Sequence, residues 1–68
     1  MYTMADKSRD QIAFSLQIAD ENDYESAFDI ANDAIRLAEL FGDSRLLADC
    51  RANWSRIWAR FIDWRFAQ

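Results

Sequence analysis

The chain has 68 residues, 51% of them hydrophobic and 15% aromatic, and a formal net charge of −4. This apolar content excludes a disordered segment, and one glycine with no proline argues against a β fold with many turns. One cysteine and no histidine exclude an internal disulfide and disfavour a Cys/His zinc site. We therefore expect one all-α domain over residues 1–68, a three-helix antiparallel bundle. A domain this small usually needs support from a partner or from a second copy of itself.

Signals for membrane insertion or export are missing from the sequence. No run of about 18 apolar residues is present. The stretch from Met1 to Lys7 lacks the apolar core of a signal peptide, and the lone Cys50 agrees with a reducing compartment. We expect a cytoplasmic protein with no transmembrane segment.

The first helix is predicted over about residues 6–21. Ile12, Leu16 and Ala19 share one face at helical spacing, and Phe14 and Ile18 form a neighbouring stripe. Asn22 and Asp23 then interrupt the pattern with residue types that favour caps and turns. Asp23 is the expected N-cap of the next helix.

The second helix is predicted over residues 24–41, because its apolar residues follow helical spacing throughout. They are Ala27, Phe28, Ala31, Ala34, Ile35, Ala38 and Phe41. Gly42 stands where a left-handed residue ends a helix, and Asp43 or Ser44 can cap the helix that follows.

The third helix, predicted over residues 44–65, carries more apolar side chains than one stripe can hold. A helix apolar over this much of its circumference must be buried on more than one side, and two short helices are not expected to cover it. Tryptophan and arginine often dominate binding at interface centres. We therefore predict a partner interface of Trp54, Trp58, Phe61, Ile62, Trp64 and Phe66, with Arg56 and Arg60. Cys50 lies on the apolar stripe and is expected to be a buried small residue without chemistry of its own.

A shift of 40 residues aligns Phe14-Ser15-x-x-Ile18-Ala19 with Trp54-Ser55-x-x-Trp58-Ala59. Three further segments are Asn22-Asp23-Tyr24-Glu25-x-Ala27, Ala31-x-x-Ala34-Ile35-x-Leu37-Ala38-Glu39 and Gly42-Asp43. Together these residues resemble the tetratricopeptide repeat (TPR) family over roughly residues 11–64. The resemblance implies a helical hairpin of about one and a half repeats that binds protein. It also implies that Ser15 lets the second helix approach closely, with Ala27 and Ala34 as its counterparts.

The sequence departs from that family at several positions. Gln11 and Arg51 stand where the family often has tryptophan, Ala31 replaces a usual aromatic, and Glu39 replaces a proline. Such arrays generally need about three repeats to be stable. The chain is therefore expected to dimerise, to dock on a larger protein, or to be a three-helix bundle that only resembles a repeat.

Charge is divided unevenly along the chain. Residues 1–43 contain three basic and ten acidic residues, a balance of −7, whereas residues 44–68 contain five arginines and two aspartates, a balance of +3. Either these are ordinary solvated helix faces, or an acidic face including Asp20, Asp29 and Asp33 steers a basic partner. The second interpretation predicts association that weakens with salt.

Catalysis is not expected, because the chain has no histidine and too little bulk to enclose a pocket. The carboxylates Asp29 and Asp33 are spaced i, i+4 but fit a solvated face, and no cofactor or metal is expected. The leading hypothesis is a protein interaction module, self-associating through its third helix. One alternative is a small phage or mobile-element type inhibitor whose acidic face binds a nucleic-acid-processing enzyme. A second is nucleic-acid binding by the arginine and tryptophan residues of the third helix, which the acidic total disfavours.

Overall fold

Three α-helices account for nearly all of residues 1–67, the part of the chain that the computed structural model describes. They are α1 (Met4–Asp20), α2 (Tyr24–Phe41) and α3 (Ser44–Phe66). No strand occurs within residues 1–67, and each helix contacts the other two. The predicted all-α, three-helix fold is confirmed, with helix bounds within two residues of those expected.

The ends of the helices are set by local hydrogen bonds. The Asp23 side chain accepts from the Ser26 backbone N–H, and Gly42 ends α2 at a left-handed φ of 75°, as predicted. Of the two candidates for the α3 cap it is Asp43 that accepts, from the N–H groups of Arg45 and Leu46. The start of α1 was predicted two residues too late, because Thr3 and Asp6 form a reciprocal capping box that extends the helix back to Met4.

The helices run antiparallel from one to the next, so that α1 and α3 are parallel. One core cluster joins Ala5 at the start of α1 to Ala38 at the end of α2 and Leu46 at the start of α3. The other joins Ala19 to Ala27 and Ile57 at the opposite end. Three contacts between α1 and α3 join residues that are 38 to 42 positions apart in sequence: Ser8–Cys50, Ser15–Asn53 and Asp20–Arg60.

Small residues occupy the centre of the core. Four alanines of α2, namely Ala27, Ala31, Ala34 and Ala38, are at most 1% exposed, and Ser8 and Ser15 of α1 are fully buried. Such residues let helices approach closely, which moves large side chains to the edges of each interface. Ile12 and Leu16 are therefore only half-buried. Phe14 and Phe41, which lie on the apolar stripes identified in the sequence, are each 53% exposed, so these stripes extend beyond the core.

Polar atoms line the contact between α1 and α3. Ser8 Oγ donates to the Ala34 carbonyl at 3.0 Å and lies 3.4 Å from Cys50 Sγ. The Cys50 thiol is 1% exposed, which confirms its predicted burial. Asn53 Nδ2 donates to Ser15 Oγ at 3.0 Å. Sequence reasoning missed both Ser8 and Asn53 as core residues.

Candidate interaction surface on the third helix

Aromatic side chains of α3 pack on two aromatic residues of α2, Tyr24 and Phe28. The Phe28 ring centroid lies 5.5 Å from that of Trp54 and 6.0 Å from those of Trp58 and Phe61. Tyr24 lies 5.3 Å from both Phe61 and Trp64, and its hydroxyl donates to the Arg60 carbonyl at 3.4 Å. These separations fall in the favourable range for aromatic pairs.

This packing covers much of the apolar excess that the sequence places on α3. Trp54, Phe61 and Trp64 are half-buried against α2. The expectation that two short helices could not cover them was too strong, since Tyr24 and Phe28 lie at the edge of α2 that faces α3. The predicted interface narrows to the part of α3 that points away from both other helices.

That part is called here the outer face of α3, and its residues recur every three or four positions. They are Ala48, Ala52, Ser55, Ala59, Ile62 and Phe66, with Trp58 at its edge. All are exposed except Ile62, which is half-buried; Trp58 is 44% and Phe66 85% exposed. Of the small residues of this face, Ser55 and Ala59 belong to the segment aligned by the 40-residue shift. Ala48 and Ala52 were not singled out from the sequence, although their helical spacing was a usable signal.

The Trp58 ring is held by its neighbours while part of it stays open to solvent. It stacks on Trp54 with centroids 5.8 Å apart and ring planes 8° apart, and it lies 5.7 Å from Phe61. A side chain fixed before binding loses less conformational entropy on binding. Trp58 therefore combines an ordered ring with an exposed surface.

Arginines border the outer face of α3, but one predicted member is engaged elsewhere. Arg60 forms an ion pair with Asp20 of α1. The pair joins a member of the predicted partner interface to a member of the predicted acidic face, and both side chains stay partly exposed, Arg60 at 46% and Asp20 at 63%. The four other arginines of α3 are exposed and have no carboxylate within 4.0 Å among residues 1–67: Arg45, Arg51, Arg56 and Arg65.

The remaining members of the predicted acidic face lie on α2. Asp29 and Asp33 are both exposed, and Asp33 lies 3.5 Å from Arg36 one turn later. Asp20, by contrast, faces α3. All three aspartates are exposed, and two of them, Asp20 and Asp33, have an arginine as ionic partner.

Two further features bear on the possible ligands of this chain. Within residues 1–67, no three or more acidic, cysteine or histidine side chains are grouped so as to hold a metal ion. None of the three helices is both long enough and apolar enough to cross a membrane.

No known protein family, no curated protein and no solved structure matches this chain.

Proposed function

We propose that this chain is a non-catalytic helical module that binds another protein through the outer face of α3. The observation that carries the proposal is the environment of the Trp58 side chain. Its ring packs against three aromatic neighbours, yet the residue is 44% exposed. The same helix carries Phe66, which is 85% exposed, and arginines without an ionic partner in residues 1–67. Exposed apolar side chains grouped in this way are typical of protein interfaces.

The TPR-like character of the chain is part of the same proposal. The helices α1 and α3 are parallel, and the contacts between them join residues 38 to 42 positions apart. This range includes the 40-residue shift that aligns the sequence of α1 with that of α3. This register supports the interpretation of α1 and α3 as equivalent first helices of successive units. A cytoplasmic setting also belongs to the proposal, and the single buried thiol of Cys50 is compatible with it.

Site-specific crosslinking tests the proposed function even when the partner has not been identified. A photoreactive phenylalanine analogue replaces Phe66 in the chain, which is expressed in the cells that naturally produce it. A matched control carries the same analogue at Phe14, an exposed aromatic residue of α1. We expect a discrete protein adduct from position 66 and none from position 14. Equal adducts from both positions, or none from position 66, would contradict a binding role for this face.

A further inference from the structure

The outer face of α3 has a chemistry that selects one kind of partner. We infer that this face binds an acidic amphipathic helix of another protein, and this inference rests on the proposed function. The bound helix has an alanine-rich apolar stripe, which is flanked by glutamate or aspartate. Three observations support the inference: the spacing of the residues on the face, the packing of the equivalent residues of α1, and the charges at its edges.

The spacing matches a partner helix lying along α3. The residues of the face extend from Ala48 to Phe66, about 27 Å at 1.5 Å per residue. Small side chains at Ala52, Ser55 and Ala59 let a second helix approach closely at the centre. Ile62 and Phe66 then supply large apolar side chains at one end. An α-helix of about 20 residues, about 30 Å long, matches this length.

The packing of α1 indicates which kind of element covers a helix face with this pattern of residues. Its residues Ser8, Ile12, Ser15 and Ala19 fall, after the 40-residue shift, on Ala48, Ala52, Ser55 and Ala59. In α1 these positions are buried or half-buried, and Ser8 and Ala19 contact the alanine-rich side of α2. The equivalent positions of α3 have no such cover in residues 1–67. An alanine-rich helix is therefore the type of element that fits them.

The charges specify the flanks of the partner. At 100° per residue, Arg51 and Arg65 lie along one edge of the face, and Arg45 and Arg56 lie along the other, which also carries Asp49 and Asp63. The first edge is purely basic, and its arginines have no ionic partner among the residues described. Carboxylates on the bound helix would complement this edge.

The same charges disfavour a second copy of this chain as the occupant. A symmetric antiparallel pair of α3 helices, centred on the middle of the face, would bring Arg51 of one copy within one turn of Arg65 of the other. It would also place the two copies of Arg56 next to each other. Like charges facing each other across an interface oppose association, whereas an acidic helix neutralises the same residues.

Two synthetic helical peptides of about 20 residues test the inference. Both carry an alanine and leucine stripe; one has glutamate on its flanks and the other has lysine at the same positions. Binding to the full chain is measured by fluorescence anisotropy in about 0.05 M and 0.5 M NaCl. We expect the acidic peptide to bind at least about tenfold more tightly than the basic one at low salt, and to weaken at high salt.

A charge-reversal variant makes the test specific to this face. Arg51→Glu/Arg65→Glu should reverse the preference, so that the basic peptide binds more tightly. The control Lys7→Glu/Arg36→Glu has the same change in net charge but alters residues of α1 and α2 that line a groove away from α3, and it should keep the original preference. Circular dichroism establishes that both variants are folded.

Several outcomes would overturn the inference while leaving the proposed function separately testable. Equal binding of the two peptides, no binding of either, or an unchanged preference in Arg51→Glu/Arg65→Glu would each exclude an acidic helix as the occupant. A stable dimer that Phe66→Ala dissociates would make a second copy the occupant instead. In each case an adduct from position 66 would still support protein binding by α3, whereas loss of that adduct would contradict the function itself.

Discussion

Asn53 Nδ2 donates a hydrogen bond to Ser15 Oγ at 3.0 Å, across the contact between α3 and α1. Ser15 in turn donates to the Ile12 carbonyl at 2.8 Å. Asn53 is 1% exposed, and its Oδ1 atom has no hydrogen-bond partner among residues 1–67. A buried carbonyl oxygen without a partner costs free energy, so this amide both links the two helices and destabilises the fold.

Two substitutions should separate these effects. We expect Asn53→Leu to raise the free energy of unfolding by about 1 kcal/mol, because it removes the unpaired oxygen and keeps the branched shape of the side chain. Ser15→Ala should lower it by about 1 to 3 kcal/mol, because the whole Asn53 amide then lacks partners. Urea denaturation followed by circular dichroism measures both. Equal destabilisation by the two substitutions would show that the unpaired oxygen is not costly.

The helices of this protein could be predicted because their signals are local. Asp23, Gly42 and Asp43 act within one turn of the helix end that they define. The spacing of alanines in α2 likewise identifies its buried face independently of the other helices. The Thr3–Asp6 capping box was also a local signal, and it was overlooked.

The depth of burial and the limits of the candidate site could not be predicted in the same way, because they depend on residues far apart in sequence. Arg60 resembles any other arginine of α3 until folding brings it to Asp20, 40 positions away. Phe14 lies on an apolar stripe, but the distance between α1 and α2 is set by alanines and serines. This spacing leaves Phe14 outside the core.

Close packing of α1 against α2 should make the α2 alanines intolerant of larger side chains. Ala31 is 1% exposed, and Ala31→Leu is expected to lower the free energy of unfolding by about 1 to 3 kcal/mol through overpacking. Ala13→Leu is the matched control, since Ala13 is exposed on α1, and it should change stability by less than about 0.5 kcal/mol. Urea denaturation compares them. A neutral Ala31→Leu would mean that the helices can move apart at little cost.

Phe28 should hold the aromatic cluster together, since its ring contacts those of Trp54, Trp58 and Phe61. We expect Phe28→Ala to lower the free energy of unfolding by about 2 to 3 kcal/mol, because this side chain is only half-buried. Tryptophan emission should shift to longer wavelength as the indoles become hydrated. Phe14→Ala, which removes an aromatic ring 53% exposed, should leave the emission unchanged. Similar spectra for both variants would contradict the central role of Phe28.

The ion pair between Asp20 and Arg60 should contribute only modestly to stability. Both side chains are about half exposed, at 63% and 46%, and exposed pairs contribute about 0.2 to 1 kcal/mol. A double-mutant cycle with Asp20→Ala and Arg60→Ala should give a coupling energy in this range, decreasing as salt is added. Zero coupling at low salt would show that the pair does not stabilise the fold, so that Arg60 could turn to a partner without loss of stability.

The capping box at the start of α1 should make stability depend on pH in the acid range. The Thr3 backbone N–H donates to Asp6 Oδ2 at 2.9 Å and the Thr3 hydroxyl at 3.0 Å, and these hydrogen bonds lower the pKa of the Asp6 carboxyl. Because the folded-state pKa is depressed, the stabilisation is fully present above the unfolded pKa of about 3.9. It is lost as the pH falls through the lower, folded-state pKa.

We therefore expect the melting temperature of the wild type to fall more steeply below about pH 4 than that of Asp6→Asn, which has no carboxylate to protonate at the cap. Asp29→Asn removes an exposed carboxylate of α2 but leaves the cap intact, so it should retain the wild-type steepness. Thermal unfolding followed by circular dichroism at closely spaced pH values compares the three proteins. If Asp6→Asn and Asp29→Asn gave the same steepness, the acid sensitivity would come from carboxylates other than the cap.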